Sequence, residues 1–150
     1  MHKLILTFAL VVGTTQLVYA EKPVAVAKAD TKEKSLYERL GKKAAIKKVV
    51  HQFVVYVGAD KRINARFAKT NLPKLESTLV DQVCEATGGP CKYKGKSMLE
   101  VHKGMKITED EWNATVEALT KALDKYKVGE KEKGELLGAL GGMKADIVGV

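Results

Sequence analysis

No CxxCH, no HExxH, no paired CxxC and no complete glycine-rich phosphate loop occurs in the 150 residues. These absences exclude covalent c-type haem attachment, zincin-type hydrolysis and P-loop nucleotide chemistry. A nucleophile elbow is missing too, so a hydrolase triad has no seat. Cysteine is limited to Cys84 and Cys91, and histidine to His2, His51 and His102.

The first twenty residues stand apart. His2 and Lys3 make a short basic start, Leu4 to Val12 an apolar core, and Val18-Tyr19-Ala20 a small-x-small cleavage site. The pattern is that of a secretory signal peptide over residues 1–20. Left uncleaved, the segment would be the chain's one route to a membrane. Cleavage after Ala20 exports the protein, to the periplasm in a bacterial source, and leaves His51 and His102 as its two histidines. It also removes Lys3, lowering the formal net charge from +8 to +7. Lysines are spread along the chain, which favours a solvated surface over nucleic-acid binding. An acidic redox partner would also suit such a surface. Residues 21–34, rich in Lys, Ala, Val, Glu and Asp, read as a linker, and residues 35–150 as one domain.

Within that domain the spacing is helical throughout. Ser35-Leu36-Tyr37-Glu38 is a capping box that starts a short helix ending near Gly41. The run Val49–Val57 has strand propensity, yet Ile46, Val49, Val50, Phe53, Val54 and Val57 fall on one helical stripe. Ala44, Ala45 and two lysines lead in without a turn signal, so a helix is expected over 43–58. Leu72, Leu75, Leu79, Val83 and Ala86 mark the next, after Asn71 with Pro73 in its first turn. Thr108–Glu111 is another capping box, followed by Trp112, Val116, Leu119, Leu123 and Tyr126 on one face, with Gly129 as the expected stop. A last helix carries Leu136, Leu140, Met143 and Ile147. No alternating strand stands out. The fold class is all-α.

One stretch organises the rest. Gly88-Gly89-Pro90 breaks the chain, Gly95 and Ser97 precede a short helical pattern, and Met98, Val101, His102 and Met105 share its face. A single imidazole thus sits on an apolar stripe between glycine-rich connections. A core histidine with a satisfied hydrogen bond fits this pattern, and so does an axial ligand to haem.

The chain resembles the group I truncated haemoglobins, globins with a two-over-two helical sandwich around a haem. The resemblance is carried by Ser35–Gly41, Phe53, Phe67, Gly88-Gly89-Pro90 with Tyr93 and Gly95, Met98, His102 and Ile107-Thr108, and runs from about Ser35 to Leu123. It implies haem b (iron protoporphyrin IX) as cofactor, His102 as proximal iron ligand and Phe67 as the aromatic packed on the haem face. It implies a pocket lined by Leu75, Leu79, Val83, Met98, Val101, Ile107, Trp112, Val116 and Leu119, each of which also suits plain core. The distal positions implied are Val54, Leu75, Thr78 and Leu79. Many group I members carry Tyr where Val54 stands, and Gln where Leu75 or Leu79 stands, so the usual hydrogen-bond donors are missing. Gln82 or Tyr56 would have to swing inward to replace them.

The function so implied is reversible binding of oxygen, nitric oxide or carbon monoxide by an exported haem protein. Chemistry of the nitric-oxide dioxygenase kind stays open, and so does a haem-based electron-transfer or haem-handling role. His51, three residues before Val54, is about 60° from it around the helix by the 3.6-residue period, and is expected in solvent or a helix seam. Export would permit a disulfide between Cys84, at the end of the distal helix, and Cys91 beyond the Gly-Gly-Pro turn; two buried thiols are the alternative.

Overall fold

Four side chains set the helix starts. In the computed structural model, which describes residues 33–150, Ser35, Ser97 and Thr108 each close a capping box with the glutamate three residues on. Asn71 accepts from the Lys74 N–H. Each satisfies backbone donors that the first helical turn leaves free. The expected signal peptide over 1–20, and all but the last two residues of the expected linker 21–34, lie outside the described residues.

Six α-helices follow: α1 Leu36–Arg39, α2 Lys42–Ala59, α3 Leu72–Ala86, α4 Met98–His102, α5 Glu109–Lys125 and α6 Glu130–Gly141. Short 3-10 helices occupy Asn64–Phe67 and Lys144–Asp146. The β-branched run of α2 is helical as its spacing requires. Ile46, Val49, Val50, Val54 and Val57 are all buried, so tertiary burial overrides the strand propensity. α2 packs on both α3 and α5, α6 packs on α5, and α1 ties α2 to α6. The pair α2–α3 is thereby stacked on α5–α6, an all-α two-over-two sandwich. Arg39 of α1 pairs with Glu132, at 2.6 Å, and with Glu135 of α6.

The main core lies where α2, α3, α5 and α6 meet, around Ile46, Val50, Cys84, Leu123 and Leu136. A smaller cluster of Val57, Ile63, Ala114 and Ala118 sits further along α2 and α5.

Two ends differ from the sequence reading. α5 stops at Lys125, before Gly129. Lys127 adopts a left-handed φ of 54°, and the Val128 N–H reaches back to the Leu123 carbonyl at 3.1 Å. That is the closure a glycine usually provides, made here by a lysine. The last stripe is also not one helix: α6 ends at Gly141, so Met143 and Ile147 flank the 3-10 turn Lys144–Asp146 as its two caps. Glycines at 134, 138, 141 and 142 weaken the helix there. A parallel bridge between Ile107 and Val148 joins this tail to the segment after α4.

Candidate haem-binding site

The chain approaches α4 under several restraints. α3 ends with Gly88 at φ +82°, and the Gly89 N–H bonds the Cys84 carbonyl at 2.7 Å. Gly89 lies so close to Cys84 and Tyr37 that an added Cβ would come within 2.6–2.7 Å of them. This turn brings Cys91 back onto Cys84, and the structure joins the two in a disulfide with a Cα–Cα distance of 5.7 Å. Glu85 then accepts from the Tyr93 N–H at 2.9 Å, and the Tyr93 hydroxyl donates to the Lys96 carbonyl at 2.8 Å. Beyond α4, Arg66 donates to the Met105 carbonyl at 2.9 Å while gripping Glu111 through two nitrogens.

α4 itself is five residues long and buries none of them. Its capping box pulls the Glu100 carboxyl below the usual range, first through the Ser97 hydroxyl and then through the Ser97 N–H. The last residue of α4 is His102. Its Nδ1 lies 2.8 Å from the Met98 carbonyl oxygen. A carbonyl only accepts, so Nδ1 carries a proton, and in the neutral ring the lone pair is therefore on Nε2. A metal-binding histidine is usually fixed in this way, one ring N–H donated to a backbone carbonyl and the other nitrogen free.

A cavity of about 250 Å³ opens between the C-terminal half of α2, the corner at Asn64–Thr70 and the start of α3. Phe53, Val54, Val57, Phe67, Leu72 and Leu75 form its apolar wall, with Gly58, Asn64, Ala68 and Thr70 completing it. Neither Val54 nor Leu75 carries a donor. Thr78 spends its hydroxyl on the Lys74 carbonyl one turn earlier, at 2.8 Å. Tyr56 borders a separate depression with Ala118 and Lys121. Gln82 points its amide nitrogen at the sulfurs of Met98 and Met143, each at 3.5 Å. His51 is exposed, with Nδ1 3.1 Å from Glu76.

A family model described as bacterial-like globin matches residues 35–148. The chain is 34% identical over 113 residues to the group 1 truncated haemoglobin GlbN of Mycolicibacterium paratuberculosis, a match covering 75% of this chain and 83% of that protein. It is 32% identical over 118 residues to the group 1 truncated haemoglobin of Tetrahymena thermophila, covering 79% and 98%. The crystal structure of truncated haemoglobin from Tetrahymena pyriformis in the Fe(III) form superimposes with a TM-score of 0.75 at 31% identity, over 78% of this chain and all of that one. The chain belongs to the group I truncated haemoglobins.

Haem b is the cofactor of that family, and the side chains of this truncated haemoglobin fit it. His102 offers an imidazole oriented by its Nδ1–H bond to the Met98 carbonyl, with Nε2 left outside that bond. Large apolar side chains are left partly open: Leu75, Met98, Ile107, Trp112 and Val116 join neither packed cluster, and Val101 is 44% exposed. Other positions implied by the resemblance are already spent within the protein. Val83 is inside the main core, and Leu79 and Leu119 pack against it. Phe67 and Leu75 border the cavity together with Val54.

The cavity also holds residues the sequence reading did not place there. Val57, one turn after Val54, and Leu72, one turn before Leu75, were accessible by spacing. Asn64 and Thr70 carried no such signal. The expected partners need correction. Among the described residues no helix is long and apolar enough to cross a membrane. Part of the lysine surface is engaged within the chain, Lys43 with Asp81, Lys133 with Asp124 and Glu130, and Lys144 with Glu109. Neither a membrane anchor nor a redox partner is assigned.

Proposed function

We propose that this truncated haemoglobin is an exported protein that reversibly binds diatomic gases at a b-type haem held by His102. The observation that carries the reading is the His102 Nδ1–H donated to the Met98 carbonyl, because it leaves Nε2 as a fixed ligand. When bound, haem supplies an iron atom with one position open to a small ligand. The chain's own residues do the rest. Met98 orients the imidazole, and Phe67 and Leu75 keep water from the distal side. Val54 and Leu75 leave a ligand there without a hydrogen bond. Oxygen, which gains most from such a bond, is therefore released readily, and carbon monoxide is favoured over it. Export is supported by the signal pattern of residues 1–20 and suits the Cys84–Cys91 bond, since disulfides persist in oxidising compartments.

Absorption spectra of the purified protein test this. The expected result is an intense Soret band that shifts between oxidised and reduced protein and reversibly on adding carbon monoxide or oxygen. His102→Ala should lose most of its haem on gel filtration. A His102→Ala protein that retains full haem with an unchanged Soret band would overturn the assignment.

A further inference from the structure

Three polar side chains are buried among the described residues: Gln52, Gln82 and Thr87. Two of them meet strong partners. Gln52 accepts from the Lys125 ammonium at 2.5 Å, and Thr87 donates to the Val83 carbonyl at 2.7 Å. Gln82 does not. Its amide nitrogen faces the Met98 and Met143 sulfurs, and a thioether is a weak acceptor. An amide buried against weak acceptors recovers little of its desolvation cost, and a leucine would fill similar space at less expense. Stability therefore does not explain the residue.

What Gln82 holds together does. Met98 is the first residue of α4, and its carbonyl fixes the His102 ring. Met143 is the cap residue of the 3-10 helix Lys144–Asp146, the element on which α4 packs. α4 buries no residue of its own, so its seat depends on such ties.

We propose that Gln82 is a positioning residue for His102. By drawing the Met98 and Met143 thioethers to one amide, it fixes the first turn of α4 and, through the Met98 carbonyl, the rotation of the imidazole. This rests on the reading of His102 as the iron ligand. Gln82 stands on α3, two turns after Leu75, so one helix shapes the distal cavity and steadies the proximal base.

The test uses Gln82→Leu, Met98→Leu and the double variant in the full chain, with haem and without. Nitrogen-15 histidine spectra in the carbon-monoxide form, and in the haem-free chain, follow the His102 Nδ1 proton. Gln82→Leu should speed its exchange with water roughly three- to tenfold, the range for one net hydrogen bond. It should also shift the iron–histidine stretching band of the reduced protein, while core amides of α2 keep their exchange rates. Met98→Leu should act in the same direction, and the double variant no more than Gln82→Leu alone, because Gln82→Leu already removes the Met98 contact together with that to Met143. Unchanged ring-proton exchange in Gln82→Leu, or effects of the two substitutions that add, would overturn the proposal. A wild-type protein without a Soret band would instead sink the ligand assignment, leaving the haem-free ring-proton comparison to decide the role of Gln82.

Discussion

The apolar side chains of this domain meet two different fates. Around Leu123 and Leu136, at 1% and 2% exposure, the side chains of α2, α3, α5 and α6 close on one another. Near α4 they do not: Val101 is 44% exposed, Leu99 48%, and α4 buries nothing. Both regions draw on the same residue types. Where helices meet each other, protein fills the space. Protein does not close over the five residues of α4, and under the proposed function a flat apolar cofactor would cover that side. Burying a large aliphatic side chain is worth about 1.5–3 kcal/mol, so the open side stores binding energy that the closed side has already used in folding.

The contrast breaks most visibly by truncating one side chain in each region. Leu136→Ala should destabilise the haem-free chain by about 2–5 kcal/mol in urea unfolding, the cost of a cavity in a packed core. Val101→Ala should change it by no more than about 0.5 kcal/mol. Equal losses would mean that the α4 side is packed by protein after all.

The distal wall sharpens the comparison further. Val54→Tyr adds a hydroxyl to the apolar wall of the cavity, where Phe53, Val57, Phe67, Leu72 and Leu75 offer none. A hydrogen bond to a partly charged ligand is worth roughly 1.5–3 kcal/mol, so stopped-flow oxygen dissociation should slow about tenfold to a hundredfold. Slow release in the wild type, unchanged by Val54→Tyr, would reveal a donor elsewhere, with Asn64 first to be examined.

The smallest effect concerns acid. Asp60 is held down to about 2, chiefly by the Arg62 side chain, and the Glu111 carboxyl is lowered chiefly by Arg66 and then by the Thr108 N–H. Each group loses its proton more readily folded than unfolded. The stability it adds is complete above the ordinary carboxylate range and is lost as pH falls through the lowered folded values. Both are half-buried and still reached by solvent, so the contribution is modest. Melting temperature should be flat near neutrality and fall below about pH 4, the ordinary carboxylate value. Arg66→Gln should melt lower than wild type at pH 7, and the gap should narrow toward pH 2. A gap independent of pH would show that Arg66 acts through Met105 rather than Glu111.

Helix starts were legible because capping is local: Ser35, Asn71, Ser97 and Thr108 announce them within four residues. Helix ends were less so. Lys127 takes a left-handed turn that its residue type does not advertise, and so cuts α5 short of Gly129. At the site, His102 and the apolar stripe of α2 could be read by period. Gln82 stood out beside the stripe Leu75–Leu79–Val83 as a donor that would have to swing into the distal pocket, whereas its amide faces the Met98 and Met143 sulfurs. Its partners could not, because Met143 is far downstream and meets it only through the fold. The Ile107–Val148 bridge escaped for the same reason, since two isolated residues have no period to betray them.

That bridge also sets an order of events. The Gly149 N–H bonds the Ile107 carbonyl and the Lys106 N–H bonds the Val150 carbonyl, both at 2.9 Å. The loop leaving His102 is thus pinned by residues made roughly forty positions later, several seconds at a synthesis rate of about 5–20 residues per second. While a nascent chain is still growing, α2 and α3 can already pair, but the exit from α4 has nothing to close against. The loop that leaves His102 is therefore fastened only once the tail has been made and has docked.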